Sequence, residues 1–237
     1  MMRQFKHLFP FNASFEAELA ALDATCGFTA FLDEHLVFPP KGARPPAPSS
    51  DGACDMYDTL TGVMYLLNPC FSTYHIASTC PYAVDPITNP PGDGVRYFNL
   101  PAVQAALNAP PTAWRYCRGG VYTSGNTDLT VPPSPSVLPR AIERLNRTLI
   151  VSGTLDLTLP SNGTLLAIQN ITWGGAHSFT RAPAGEFFVP YTGIATDGEA
   201  DGSVASLAGT GLKGTLHAER GLVFVDVFLA GHKLPQW

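Results

Sequence analysis

Two segments of this chain share one pattern: a run of β-forming apolar residues, a glycine at its end, and then a titratable side chain in a loop. The first is LIVSG, ending at Gly153 and followed by Thr154, Leu155 and Asp156. The second is LVFVDVFLAG, ending at Gly231 and followed at once by His232. Strands this apolar and this rich in Val and Phe are usually buried on both faces, as in a parallel sheet with helices on either side. In open sheets of that kind, active sites form just beyond the C-terminal ends of the strands. The two runs therefore predict an α/β fold with Asp156 and His232 at one edge of its sheet.

The flanking sequence agrees with an alternation of helix and strand over residues 96–237. Asn99 is a cap for a helix carrying Val103, Ala106 and Leu107. Residues 134–146 read as a helix with Val137, Ile142 and Leu145 on its core face, and residues 161–171 as another, capped by Ser161 or Asn162. Residues 213–219 read as an outer strand. Residues 1 to about 95 have a different texture, with a Pro/Gly/Ser stretch at 38–52, a second break at 85–94, and short helices expected at 13–24 and 55–66. They form a cap-like or insertion-like region, and 96–237 form the α/β core. With 45% hydrophobic residues the chain has enough apolar side chain to bury that core.

An aspartate beyond one strand and a histidine beyond a later one follow the order of the α/β-hydrolase triad, Ser…Asp…His. A serine hydroxyl is a weak nucleophile and needs a base to take its proton. Neutral imidazole does this near its working range, and a carboxylate on the other ring nitrogen sets the tautomer and stabilises the imidazolium. His232 is the candidate base and Asp156 the candidate orienting acid. The nucleophile elbow Gly-x-Ser-x-Gly occurs nowhere in the 237 residues. Ser152 and Ser124 are the nearest substitutes, and neither has the strand–elbow–helix context. The other titratable groups read as structural or superficial: His75, His177 and His217 as structural, His7 and His35 as surface residues. Asp226, inside an apolar strand, is expected to have a local hydrogen-bond partner, because a buried carboxylate must be satisfied.

The segments NPCFSTYHI (68–76), TCPYAVDP (79–86), YFNLPAVQAALNAPPTAW (97–114), SGTLDLTLP (152–160) and AGHKLP (230–235) together resemble the serine carboxypeptidase family, and HAERGLVFVDVFLAGH (217–232) is similar to its fungal-type members. The resemblance runs from about residue 20 to the end. It implies the C-terminal part of an α/β-hydrolase fold that removes C-terminal residues from peptides, without metal or organic cofactor. By position, Asp156 matches the catalytic aspartate and His232 the catalytic histidine. Three departures stand out. Thr154 fills a position that usually holds an acid, Lys233 replaces the usual methionine and places a cation beside the base, and the elbow serine is absent. The resemblance also implies that Cys117 pairs with a cysteine outside this sequence.

Charge and cysteine usage narrow the partners. A net charge of −5 with no basic run argues against a nucleic-acid or anionic-membrane partner, and no apolar run is long enough to span a membrane. Peptide or protein C-termini are the expected partners. Cys26, Cys54, Cys70 and Cys80 lie in the loop-rich region with no CxxC spacing, which suits disulfides in an oxidising compartment rather than metal binding. These four can pair in three ways. Sequons at Asn12, Asn146, Asn162 and Asn170 also favour the secretory route. No secretory leader is recognisable at the N-terminus. The expectation is a serine carboxypeptidase fragment, inactive alone for want of its nucleophile. The alternatives are a non-catalytic secreted glycoprotein module or an acyltransferase with the same triad.

Overall fold

The computed structural model describes residues 4–80, 96–115, 119–120, 122, 128–191 and 209–234. The chain divides into two compact units, one made of residues 1–79 with 133–237, the other of 80–132. Cys117 and Ser124 lie outside the described residues.

In the first unit, α1 (Ala13–Cys26) starts where the Asn12 carboxamide oxygen accepts the Phe15 N–H at 2.9 Å, and it stops at Gly27 in the left-handed region (φ 77°). Helix α2 (Phe28–His35) follows directly, and α3 (Met56–Leu67) is capped by Asp55, which accepts the Asp58 N–H. A disulfide joins Cys26 at the end of α1 to Cys54 just before α3. Cys70 and Cys80 are also in disulfide form.

The second unit holds the short helix α4 (Pro101–Ala106). Asn99 does not cap it. The cap is Leu100, and the Asn99 side chain instead takes both backbone groups of Trp114, accepting from its N–H at 2.6 Å. The expected cap thus serves a loop closure, a competing use of the same short polar side chain.

The rest of the first unit alternates helix and strand. Helix α5 (Val137–Leu145) precedes β1 (Thr148–Gly153), and α6 (Ser161–Ile168) follows it. Then come β2 (Thr172–Trp173) and β3 (Ala176–His177), which pair as a small hairpin, and β4 (Gly185–Val189), β5 (Gly211–Glu219) and β6 (Leu222–Val227). The main sheet has the order β1-β6-β5-β4. It is mixed: β1 and β6 run parallel, while β5 is antiparallel to both β6 and β4. The sequence led us to expect parallel strands and an outer position for 213–219. In fact β5 is interior, and β4, which sequence reading missed, is its neighbour. The reason is the two-residue link between β5 and β6. Arg220 and Gly221 both have positive φ (49° and 81°), as a tight hairpin turn requires, whereas a parallel crossover needs a dozen residues or more.

One face of the sheet carries the core. Ile142 of α5, Leu165 and Ile168 of α6, Trp173, Phe179, Leu222 and Phe224 form one buried cluster. Val137 and Leu145, expected beside Ile142, are exposed, because α5 is only 9 residues long and presents a narrow stripe of Leu138, Pro139 and Ile142 to the sheet. A second cluster, of Phe9, Leu60, Met64, Phe71, Ile76 and Leu155, packs around the loop that follows β1.

Candidate active site

Strands β1 and β6 are in register from Thr148 opposite Leu222 to Gly153 opposite Val227, so their C-terminal ends lie side by side. The chain leaves both strands there, and the two loops touch. The Thr154 N–H bonds the Val227 carbonyl at 3.0 Å and the Leu155 N–H bonds the Ala230 carbonyl at 2.9 Å. Gly153, the last residue of β1, permits this contact, and Gly231, four residues beyond β6, permits a second close approach. A Cβ on Gly153 would overlap the Ala230 and Gly231 carbonyl oxygens, and one on Gly231 would overlap the Tyr74 carbonyl oxygen.

This backbone contact brings Asp156 to His232. The Asp156 Oδ2 lies 2.8 Å from the His232 Nδ1, and the aspartate is 4% exposed. Its other oxygen accepts the Thr158 and Leu159 N–H groups, each at 2.9 Å. With Oδ1 occupied by the backbone, Oδ2 is aimed at the ring and accepts from Nδ1–H. That tautomer leaves the Nε2 lone pair as the proton acceptor. The imidazole side chain is 33% exposed, open enough to reach a hydroxyl placed against it. Among the described residues no serine hydroxyl hydrogen-bonds to His232. Ser152 is buried inside β1, opposite Asp226.

A third segment braces both loops. The Thr73 carbonyl accepts from Leu157 and Thr158, the Ile76 N–H donates to the Leu155 carbonyl, and the His232 N–H donates to the Tyr74 carbonyl at 2.7 Å. The Tyr74 ring lies 5.1 Å from the His232 ring, tilted by 43°. Sequence reading singled out this segment only as part of a family motif. Its contacts with the loops are more than 70 residues away in the chain, and no local pattern signals them.

Several other titratable residues have partners of their own. His217 Nε2 lies 2.9 Å from Glu219 Oε2, and the His177 Nδ1 lies 3.1 Å from the Thr172 hydroxyl. Asp226 has the hydrogen-bond partner its burial demands, but not a local one. Ser161 Oγ donates to its Oδ1 at 2.6 Å from 65 positions earlier. Ser161 is thereby used at the start of α6 without capping it; the cap position is Pro160. Among the described residues no group of three or more His, Cys, Asp or Glu is placed to hold a metal ion. A cavity of about 790 Å³ lined by Phe9, Leu19, Phe28, Leu32 and Met56 contains neither Asp156 nor His232.

Two carboxyls give the fold opposite pH responses. Burial pushes the Asp226 carboxyl above its ordinary range, with the Ser161 hydroxyl opposing. A raised folded-state value means that the stability contribution is complete below the unfolded value and is lost as pH rises through the folded one. Burial also pushes Glu219 up, but His217, Thr180 and Arg220 outweigh it and its carboxyl lies low, so its contribution is lost as pH falls. Asp226→Asn keeps an acceptor for Ser161 and removes only the first response. Its melting temperature relative to the parent is expected to be higher at pH 7 than at pH 4 by about 1–3 °C. Thermal scans of both proteins at the two pH values check this, and an equal difference at both would contradict it.

Comparison with known proteins identifies the family. The family model described as serine carboxypeptidase matches residues 27–237. The chain is 39% identical over its full length to a probable serine carboxypeptidase of Arthroderma benhamiae, covering 44% of that protein. It is 36% identical to serine-type carboxypeptidase F of Aspergillus niger, with 97% of this chain and 46% of the relative aligned. The chain thus spans a little under half the length of these relatives. Among solved structures, a prohormone-processing carboxypeptidase from Saccharomyces cerevisiae aligns with 97% of this chain and 46% of its own, with a TM-score of 0.54 and 19% identity, a likeness of fold.

Proposed function

This chain belongs to the serine carboxypeptidase family, and we propose that it supplies the acid and base of a Ser-His-Asp site that releases C-terminal residues from peptides. The observation that carries the reading is the 2.8 Å bond from His232 Nδ1 to Asp156 Oδ2, made at the C-terminal ends of two parallel strands and leaving Nε2 to face a nucleophile. In this reading His232 takes the proton of the attacking serine and returns it to the leaving amine, while Asp156 holds the ring and stabilises the imidazolium. The serine comes from residues outside these 237, which hold no Gly-x-Ser-x-Gly, and the chain alone is inactive. In this reading residues 1–95 serve as the cap-like region and 96–237 as the C-terminal part of the core, a functional division that cuts across the two compact units, 1–79 with 133–237 and 80–132. The Cys26–Cys54 disulfide and the exposed sequons at Asn12, Asn146 and Asn162 support passage through an oxidising, glycosylating compartment. Asn170, half-buried with its Oδ1 accepting the Arg44 N–H, is the fourth proposed glycan acceptor.

The test is a chimera in which this chain replaces the aligned part of the Arthroderma benhamiae relative. The chimera is expected to release the terminal residue from N-blocked dipeptides and to bind a serine-directed fluorophosphonate. The 237-residue chain alone is expected to do neither. Turnover by the chain alone that survives His232→Ala, or an inert chimera that is folded, would sink the reading.

A further inference from the structure

The turn that delivers His232 contains an unfavourable backbone conformation. Leu229, three residues before the base, has φ 59° and a side chain 68% exposed. A leucine rarely adopts the left-handed region, where its Cβ crowds the following carbonyl. A side chain so exposed is not held by packing, so the conformation must be held through the backbone. Both of its backbone polar groups are taken by side chains. The Leu229 N–H donates to Thr154 Oγ1 at 2.8 Å. The Leu229 carbonyl lies 3.2 Å from His75 Nε2. The His75 Nδ1 lies 3.3 Å from Ser78 Oγ. One neutral tautomer satisfies both contacts: Nε2–H donates to Leu229, and Nδ1 accepts from the serine hydroxyl.

These two side chains come from the two segments that already touch the base's loop. Thr154 is two residues before Asp156 and nearly buried, so its hydroxyl ties the acid's loop to the base's turn. His75 follows Tyr74, whose carbonyl holds the His232 N–H. Thr154 stands where the family resemblance has an acid. A hydroxyl accepts the same N–H without adding a second negative charge beside Asp156.

We propose that Thr154 and His75 are positioning residues, which hold Leu229 in its left-handed turn and thereby set the His232 ring against Asp156. This rests on the reading of Asp156 and His232 as the acid–base pair. Where strain persists at a functional site, the surrounding structure has to over-determine it, and here the two side-chain bonds do so. Releasing either one lets Leu229 relax and turns His232 away from the carboxylate.

The experiment uses the full 237-residue chain with ¹⁵N-labelled histidine and follows solvent exchange of the His232 Nδ1–H by NMR. Thr154→Val removes the acceptor at constant shape, and Thr154→Ser restores it. His75→Phe keeps a ring without a donor, and His75→Gln keeps an N–H. The Val and Phe variants are expected to speed exchange about tenfold or more, while Ser and Gln stay within about twofold of the parent. Circular dichroism on the same samples reports folding. Val and Phe variants that fold and exchange like the parent overturn the proposal, as do Ser and Gln variants that lose as much as Val and Phe. If Thr154→Val alone fails to fold, the His75 pair decides. If both Val and Phe fail to fold, the two residues are structural and the proposal falls. A parent Nδ1–H that exchanges freely and is unaffected by Asp156→Asn overturns the acid–base reading itself, a result separate from all of these.

Discussion

His232→Ala in the chimera is expected to lower kcat on a blocked dipeptide by about 10,000-fold or more, and Asp156→Asn by about as much. The first removes the group placed to take the serine proton. The second is nearly isosteric, and the local bonds explain why it is still severe. An asparagine at 156 would keep its oxygen on the Thr158 and Leu159 N–H groups, because those donors require an acceptor. Its amide would then face the ring and donate to Nδ1. The imidazole would be driven to the Nε2–H tautomer, presenting a proton where the serine needs a lone pair. Folding is expected to be little affected in either variant, so the loss should lie in kcat with unchanged circular dichroism. Residual activity within tenfold of the parent in either variant would show that the pair does not perform the chemistry.

Gly153→Ala is expected to destabilise the chain by about 3–5 kcal/mol. An added Cβ meets the Gly231 carbonyl oxygen at 2.5 Å and the Ala230 carbonyl carbon at 2.7 Å. These are backbone atoms, so no rotamer change relieves the overlap. The two loops must separate, and the bond from the Leu155 N–H to the Ala230 carbonyl goes with them. Because Asp156 and His232 sit on those loops, the chimera carrying Gly153→Ala should also lose most of its activity. Gly163 in α6 is the control: a Cβ added there would meet nothing within 4 Å, so Gly163→Ala should be neutral or stabilise by about 0.5–1 kcal/mol. Urea unfolding of the three proteins compares them. A loss below about 1 kcal/mol for Gly153→Ala would mean that the loops are not held in contact.

The outline of the site was legible because its signals are local. A run of Leu, Ile and Val ending in Ser-Gly can hardly be anything but a strand end, and Leu-Val-Phe-Val-Asp-Val-Phe-Leu before Ala-Gly-His reads as a second one, although the strand itself stops at Val227. What local pattern could not supply were the partners. Ser161 looked like a helix cap and is a hydrogen-bond donor to Asp226. Asn99 looked like another cap and closes a loop on Trp114. Thr154 was notable only as a departure from a family pattern, and its hydroxyl holds a turn 75 residues away.

By itself the sequence determined where β1 ends and which titratable residues follow the two strands, because strand propensity and glycine breaks act over a few residues. The second run, read as strand as far as Ala230, in fact stops at Val227, where the chain turns. Tertiary structure alone decided that the two glycines are points of backbone contact, that β6 reaches β5 through a tight antiparallel turn, and that Asp156 Oδ2 rather than Oδ1 meets the ring. Each of these depends on which distant groups compete for the same donors, acceptors and space. Such competition is settled only when the chain packs.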